Sequence, residues 1–240
     1  MKKDTVAIIC AHPDDLIACL GLCHLARGVF EIHVIDFTHG ERGCGEEKFR
    51  SGWTKAKRTA EEEAVCASVG ATLHWLDEID GEAYARPETV ARMADILREI
   101  SPRAVIAHWP LDVHTDHVMS AAAALKAVFL AGIHPEIWFM EQTHQSKRFA
   151  PDILLDFSAV ADKVWASLRL YECQYGGGGL ESRRRVLARL NGMRSADYAS
   201  EVLAESFMRF VPPRQGERSF FEELPFPGGS RGIPLQGARN

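Results

Sequence analysis

Short apolar, β-branched runs alternate along the chain with longer segments whose apolar residues recur every three to four positions. The runs Val6–Cys10, Ile32–Phe37, Thr72–Leu76, Ala104–His108 and Glu136–Met140 predict buried strands, and Ile153–Phe157 a sixth. Between them, Leu16–Arg27, Thr54–Val69, Glu88–Ile100 and His117–Leu130 carry helical spacing. Val160–Leu170 and Ser182–Phe210 continue it. Strands alternating with helices predict right-handed βαβ units, an α/β fold with an open, mostly parallel sheet covered by helices on both faces.

Two strands end in polar clusters. Val6–Cys10 runs into AHPDD, Ala11 to Asp15, and Ala104–His108 runs into WPLDVHTDH, Trp109 to His117. Helix capping accounts for Pro13 and one aspartate, since proline suits a first helical position and carboxylates favour the positive end of a helix dipole. It leaves His12 and the second acid without a reason. In an open α/β sheet, ligands bind beyond the carboxyl ends of the strands where the strand order reverses. An order of 3-2-1-4-5 sets strands 1 and 4 side by side at that reversal, so the two clusters would face each other across one crevice. The first turn has no glycine to admit a pyrophosphate. Its acids repel phosphate and attract a cation, and imidazole with carboxylate suits zinc or another borderline divalent ion. Three protein ligands and one open position would be filled by His12, one aspartate of AHPDD and one histidine of HTDH.

Composition narrows the class. The chain has 240 residues, 46% hydrophobic and 25% charged, the profile of a globular protein. A formal charge of −5 leaves no basic excess for nucleic acid, and the one basic cluster, Arg183 to Arg185, reads as a solvated helix face. No run reaches the length of a membrane span. The six cysteines form no CxxC pair, the pattern of reduced core thiols in a cytoplasmic protein. Gly176–Gly179 reads as a flexible loop. From Val211 onward the chain holds five of its eleven prolines, with Phe220, Phe221, Leu224 and Phe226 among them. This tail, residues 211–240, is expected to lie on the body formed by residues 1–210 or on another subunit, so a homo-oligomer is compatible.

AHPDD followed by HTDH, His114 to His117, resembles the PIG-L/LmbE family of metal-dependent de-N-acetylases, whose mark is AHPDD followed by an HPDH-like segment. Weaker likenesses extend from about residue 5 to 210. They are THGERG (Thr38–Gly43), Arg58 to Glu61 with Val69-Gly70 ending the helix, LDEIDG (Leu76–Gly81), DFSAVADK (Asp156–Lys163) and AESF (Ala204–Phe207). Thr115 stands where the family has proline, and Leu16 where it has glutamate. The resemblance implies a Rossmann-like fold and one divalent ion, zinc foremost with Fe(II), Co(II), Ni(II) or Mn(II) also suitable, held by His12, Asp15 and His117. It implies Asp14 as general base toward water. His114, as imidazolium, would stabilise the oxyanion. Asp116 would either hydrogen-bond His114 or orient a metal ligand. Glu41, Arg58 and Asp80 would contact sugar hydroxyls. The implied reaction is hydrolysis of the acetamide of an N-acetylglucosamine-type conjugate, releasing acetate and a free amine. A different amide, or a crevice that binds without catalysis, is the alternative.

Overall fold

The computed structural model describes residues 3–43, 52–142, 145–175, 179–194, 202–225 and 232–234. Its strands are β1 (Thr5–Cys10), β2 (Glu31–Thr38), β3 (Ala71–Glu78), β4 (Ala104–His108), β5 (Glu136–Met140), β6 (Ile153–Asp156), β7 (Ala204–Val211) and β8 (Gly232–Pro234). The helices are α1 (Leu20–Ala26), α2 (Gly52–Val69), α3 (Pro87–Ile100), α4 (Thr115–Ala131), α5 (Ala161–Leu168), α6 (Glu172–Tyr175) and α7 (Gly179–Met193). All eight strands form one sheet in the order β3-β2-β1-β4-β5-β7-β6-β8. The pairs from β3 to β5 are parallel, and those from β5 onward antiparallel. The α/β architecture and the neighbourhood of β1 and β4 are as the sequence predicts.

Every residue of β1 and β4 is buried, so neither strand shows polar alternation. The pleat divides their side chains between two cores. Val6, Ile8 and Cys10 pack with α1, α2 and α5, while Ala7 and Ile9 pack with α3 and α4. Phe220, Phe221 and Leu224 enter the first of these cores, with Phe220 4.7 Å from Phe30 and Phe221 4.7 Å from Trp138 between ring centroids. Among the described helices none is long and apolar enough to cross a membrane.

Three expectations are corrected. The helical reading of Ser182–Phe210 holds as far as Met193 and fails at Ala204–Val211, the antiparallel strand β7 between β5 and β6. A strand with partners on both sides is set by long-range pairing that local spacing does not encode. The helix expected from Leu16 begins as a tight turn, Asp15–Ala18, before α1 starts at Leu20. Gly179 opens α7, whereas the rest of the tetraglycine and Phe226 lie outside the described residues.

Candidate metal centre and active site

At the carboxyl end of β1 the chain turns sharply. Asp14 adopts φ 99°, a left-handed conformation uncommon outside glycine and costing of order 1–3 kcal/mol. The surroundings fix it there. Its amide donates to Glu62 Oε2 (3.1 Å), and Arg58 Nη2 donates both to its carboxylate and to the carbonyl of Pro13. Arg58 reaches this place from α2 by crossing THGERG. It donates to the carbonyl of Gly40 (3.0 Å), and a Cβ at Gly40 or Gly43 would overlap its guanidinium. The glycines of that segment therefore make room for one buried arginine.

Asp15 stands at the centre. Its Oδ2 accepts the amides of Ala11 (3.1 Å) and His12 (2.9 Å) and lies 3.1 Å from His108 Nε2. Its Oδ1 lies 3.3 Å from His117 Nε2. Burial opposes ionisation of this carboxyl, yet His117 and His108 hold it well below the usual carboxylate range. His12 and His117 each turn one ring nitrogen to Asp15 and the other to a second carboxylate, but with opposite nitrogens. His12 turns Nδ1 toward Asp15 (3.4 Å) and Nε2 toward Asp116 (3.1 Å). His117 turns Nε2 toward Asp15 and Nδ1 toward Asp112 Oδ1 at 3.2 Å, without the alignment of a hydrogen bond. An imidazole with one nitrogen facing the centre and the other backed by a carboxylate is the arrangement of metal-binding histidines. Burial disfavours charge on both rings, but Asp116, Asp15 and Asp80 hold His12 well above its ordinary value, and Asp15 and Asp112 push His117 up to about 9. The cluster thus attracts positive charge.

Among the described residues, three overlapping groups have donor atoms within 4.8 Å of one another: His12 with His114 and His117, Asp15 with His108 and His117, and His12 with Asp80 and Asp116. Mixed nitrogen and oxygen donors of this kind fit a borderline divalent ion.

The geometry bears on two expected roles, turning one and deciding between the two alternatives for the other. His114 Nδ1 accepts the amide of Asp116 (3.2 Å), capping α4, so that nitrogen carries no proton. Burial and then the neighbouring rings of His12 and His117 lower its pKa. The capping contact and the lowered pKa favour a neutral His114 with its proton on Nε2 over an imidazolium. The Asp116 carboxylate does not turn to His114. Its Oδ2 takes the Gly81 amide (2.7 Å) and meets His12 Nε2.

The candidate sugar contacts separate as well. Arg58 and Asp80 line the same cavity of about 280 Å³ as His12, Asp14, Asp15, His114 and His117. Asp80 lies 3.4 Å from His12 Nε2 and accepts the amide of Arg42 (3.0 Å). Glu41 is one layer back, accepting the Asp80 amide (3.2 Å), and does not line the cavity. Glu61 is taken up by Lys57 (3.2 Å) and the amide of Cys173 (2.8 Å). His39 is satisfied by Thr59 (2.8 Å) and Asp77 (2.9 Å) and stacks on Trp75, so it is no ligand.

Sequence reading passed over Glu62, Asp36, Tyr171 and Gln142. Burial pushes Glu62 up to about 7, with Tyr171 Oη donating to it at 2.7 Å. Both carboxylate oxygens of Asp36 are buried without a partner among the described residues, and burial raises its pKa well above normal. Gln142 Nε2 donates to the carbonyl of Asp15 (2.8 Å). For Glu62 a signal existed. Thr54, Arg58, Glu61, Glu62, Val65, Cys66 and Val69 form the buried face of α2, so polar residues occupy core-facing positions.

Residues 7–128, just over half of the chain, match the family model for PIG-L, described as GlcNAc-PI de-N-acetylase. The chain belongs to the PIG-L family. This PIG-L chain is 27% identical over 188 residues to a 4-oxalmesaconate hydratase of Pseudomonas putida, covering 70% of the chain and 72% of the relative. Its fold matches a conserved protein from Thermus thermophilus with a TM-score of 0.71 at 27% identity, over 89% of this chain and 99% of that one. It also matches N,N'-diacetylchitobiose deacetylase from Pyrococcus horikoshii with a TM-score of 0.74 at 21% identity, over 87% and 84%. The named PIG-L relatives include a hydratase and a deacetylase, which supports an enzyme of a deacetylase- or hydratase-type fold.

Proposed function

We propose that this protein is a metal-dependent deacetylase that hydrolyses the acetamide of an N-acetylated amino sugar. The observation that carries this reading is the convergence of His12 and His117 on Asp15, with Asp14 beside them in the same cavity. His12, Asp15 and His117 would hold a divalent ion, zinc in the first instance. A bound ion supplies Lewis acidity, polarising a carbonyl and lowering the pKa of water toward about 7.

The chain's own residues would do the rest. Asp14, fixed by Arg58, takes a proton from the attacking water and returns it to the departing amine. The neutral His114 donates its Nε2–H to the oxyanion as charge develops there. Asp116 and Asp112 hold the outward nitrogens of His12 and His117, and Asp80 with Arg58 receives sugar hydroxyls.

A second reading is hydration of an activated double bond, favoured by the 27% identity to a hydratase. Both reactions need an activated water and a base, and they differ in the electrophile. Mass spectrometry on the metal-loaded protein separates them: an N-acetylglucosaminide should lose its acetyl group, whereas an unsaturated diacid should gain water. Hydration without any amide cleavage would remove the deacetylase reading.

A further inference from the structure

The three consecutive arginines Arg183, Arg184 and Arg185 leave α7 in different directions and meet different fates. Arg184 is buried, donating to the carbonyl of Ala18 (3.1 Å) and lying 3.4 Å from Glu205. Arg185 binds Glu181 (2.7 Å) and lies over the ring of Trp165, 4.2 Å from its centroid. Arg183 is exposed and, among the described residues, makes no hydrogen bond or ion pair; it lines the cavity that holds the His/Asp cluster.

The other charged side chains lining that cavity have partners within it. Arg58 is bound to Asp14, Asp15 faces His117 at 3.3 Å, and Asp80 faces His12 at 3.4 Å. Arg183 therefore supplies the one formal charge on the cavity wall without a partner among the described residues. The walls around it reward a polar occupant. Ile17 is the single apolar side chain lining them, and the side-chain amides of Gln145 and Gln174 have no hydrogen bond among the described residues.

We propose that Arg183 anchors a carboxylate carried by the substrate, in the cavity where the reaction takes place. A guanidinium accepts a carboxylate through two parallel hydrogen bonds, and the glutamine amides can add donors at its flanks. Carboxylate is preferred over phosphate because Arg183 is a single unpartnered charge on that wall among the described residues, which one carboxylate neutralises with two parallel hydrogen bonds. This assignment rests on the cavity being the substrate site, as proposed above. It applies to an acidic amino-sugar conjugate and to an unsaturated diacid alike.

The test is equilibrium binding by calorimetry to the full-length, metal-loaded protein. Succinate, glutarate and adipate are compared with monocarboxylates of the same carbon number. At least one diacid should bind tenfold or more tighter than its monoacid. The advantage should vanish in Arg183→Met, survive in part in Arg183→Lys, and persist in Arg185→Met, which removes the same charge outside the cavity. Equal binding of diacids and monoacids, an advantage kept in Arg183→Met, or one lost equally in Arg185→Met would overturn the assignment. Tighter binding of 3-phosphonopropionate than of glutarate would overturn the choice of carboxylate. Binding is read without turnover. A protein that discriminates diacids but neither deacetylates nor hydrates keeps this inference and loses the reading of its reaction. Turnover without discrimination does the reverse.

Discussion

His12 Nε2 lies 3.1 Å from Asp116 Oδ2, a contact between residues 104 apart in the chain. It binds the turn after β1 to the first turn of α4 and fixes which nitrogen of His12 faces Asp15. Carboxylates that orient a metal-binding histidine are typically worth about 10- to 100-fold in metal affinity. Asp116→Asn should lower affinity for the divalent ion by about that factor, measured by competition with a chelator, while the fold persists in circular dichroism.

Asp14 lines the cavity, and its carboxylate accepts a hydrogen bond from Arg58. Asp14→Asn should keep metal content at the parent level and lower turnover by about 10²- to 10⁴-fold, the usual worth of a general base. Metal analysis and rate measurement on the same preparation check this. Loss of the metal would instead count Asp14 among the ligands.

Gly43 stands where a Cβ would overlap the Arg58 guanidinium. Gly43→Ala should push Arg58 away from Asp14 and reduce turnover by about 10²-fold, the scale of a misplaced catalytic group. The melting temperature should change little, since the apolar cores are untouched. A variant that unfolds, or one with full activity, would refute the argument.

Glu205 is fully buried on β7, accepting the amides of Gly21 (2.7 Å) and Leu22 (2.9 Å). Burial outweighs Arg184 and these donors and pushes its carboxyl up to about 7 from an ordinary 4.5. The folded state then holds a proton that the unfolded chain releases, so stability falls as pH rises from about 4.5 to about 7 and is flat outside that window. Relative to Glu205→Gln, the parent should lose of order 3 kcal/mol between about pH 4.5 and pH 8. Calorimetric melting of both proteins across that range reads the difference directly. A constant difference would mean that Glu205 is ionised throughout.

Phe221 packs against Trp138 and Phe207, with ring centroids 4.7 and 5.0 Å away. Phe221→Ala should cost about 3–5 kcal/mol of stability, the usual effect of truncating a buried phenylalanine. Denaturant unfolding measures it. A cost below about 1 kcal/mol would mean that this segment does not seal the core.

The alternating pattern located the strands of the parallel half nearly residue by residue. Ala104–His108 and Glu136–Met140 match β4 and β5 end to end. Buried parallel strands are continuous apolar runs, and that signal is local. β7 was not legible, because its arginine-containing sequence acquires its structure from pairing with β5 and β6. The site was legible to the extent that it sits at strand ends. AHPDD and HTDH combine imidazole and carboxylate donors that suit a divalent cation, and the strand order predicted their meeting.

The sequence alone therefore determined the fold class, the place of the cavity and the donor types within it, since periodicity and residue chemistry are properties of short segments. Only the tertiary structure decided which atoms face which. It handed the Nδ1 of His114 an amide and turned Asp116 to His12. It bound Arg58 to Asp14, put Glu41 behind Asp80, and left Arg183 with an open charge among the described residues. Those outcomes depend on orientation and burial summed over distant segments, which no stretch of the chain specifies by itself.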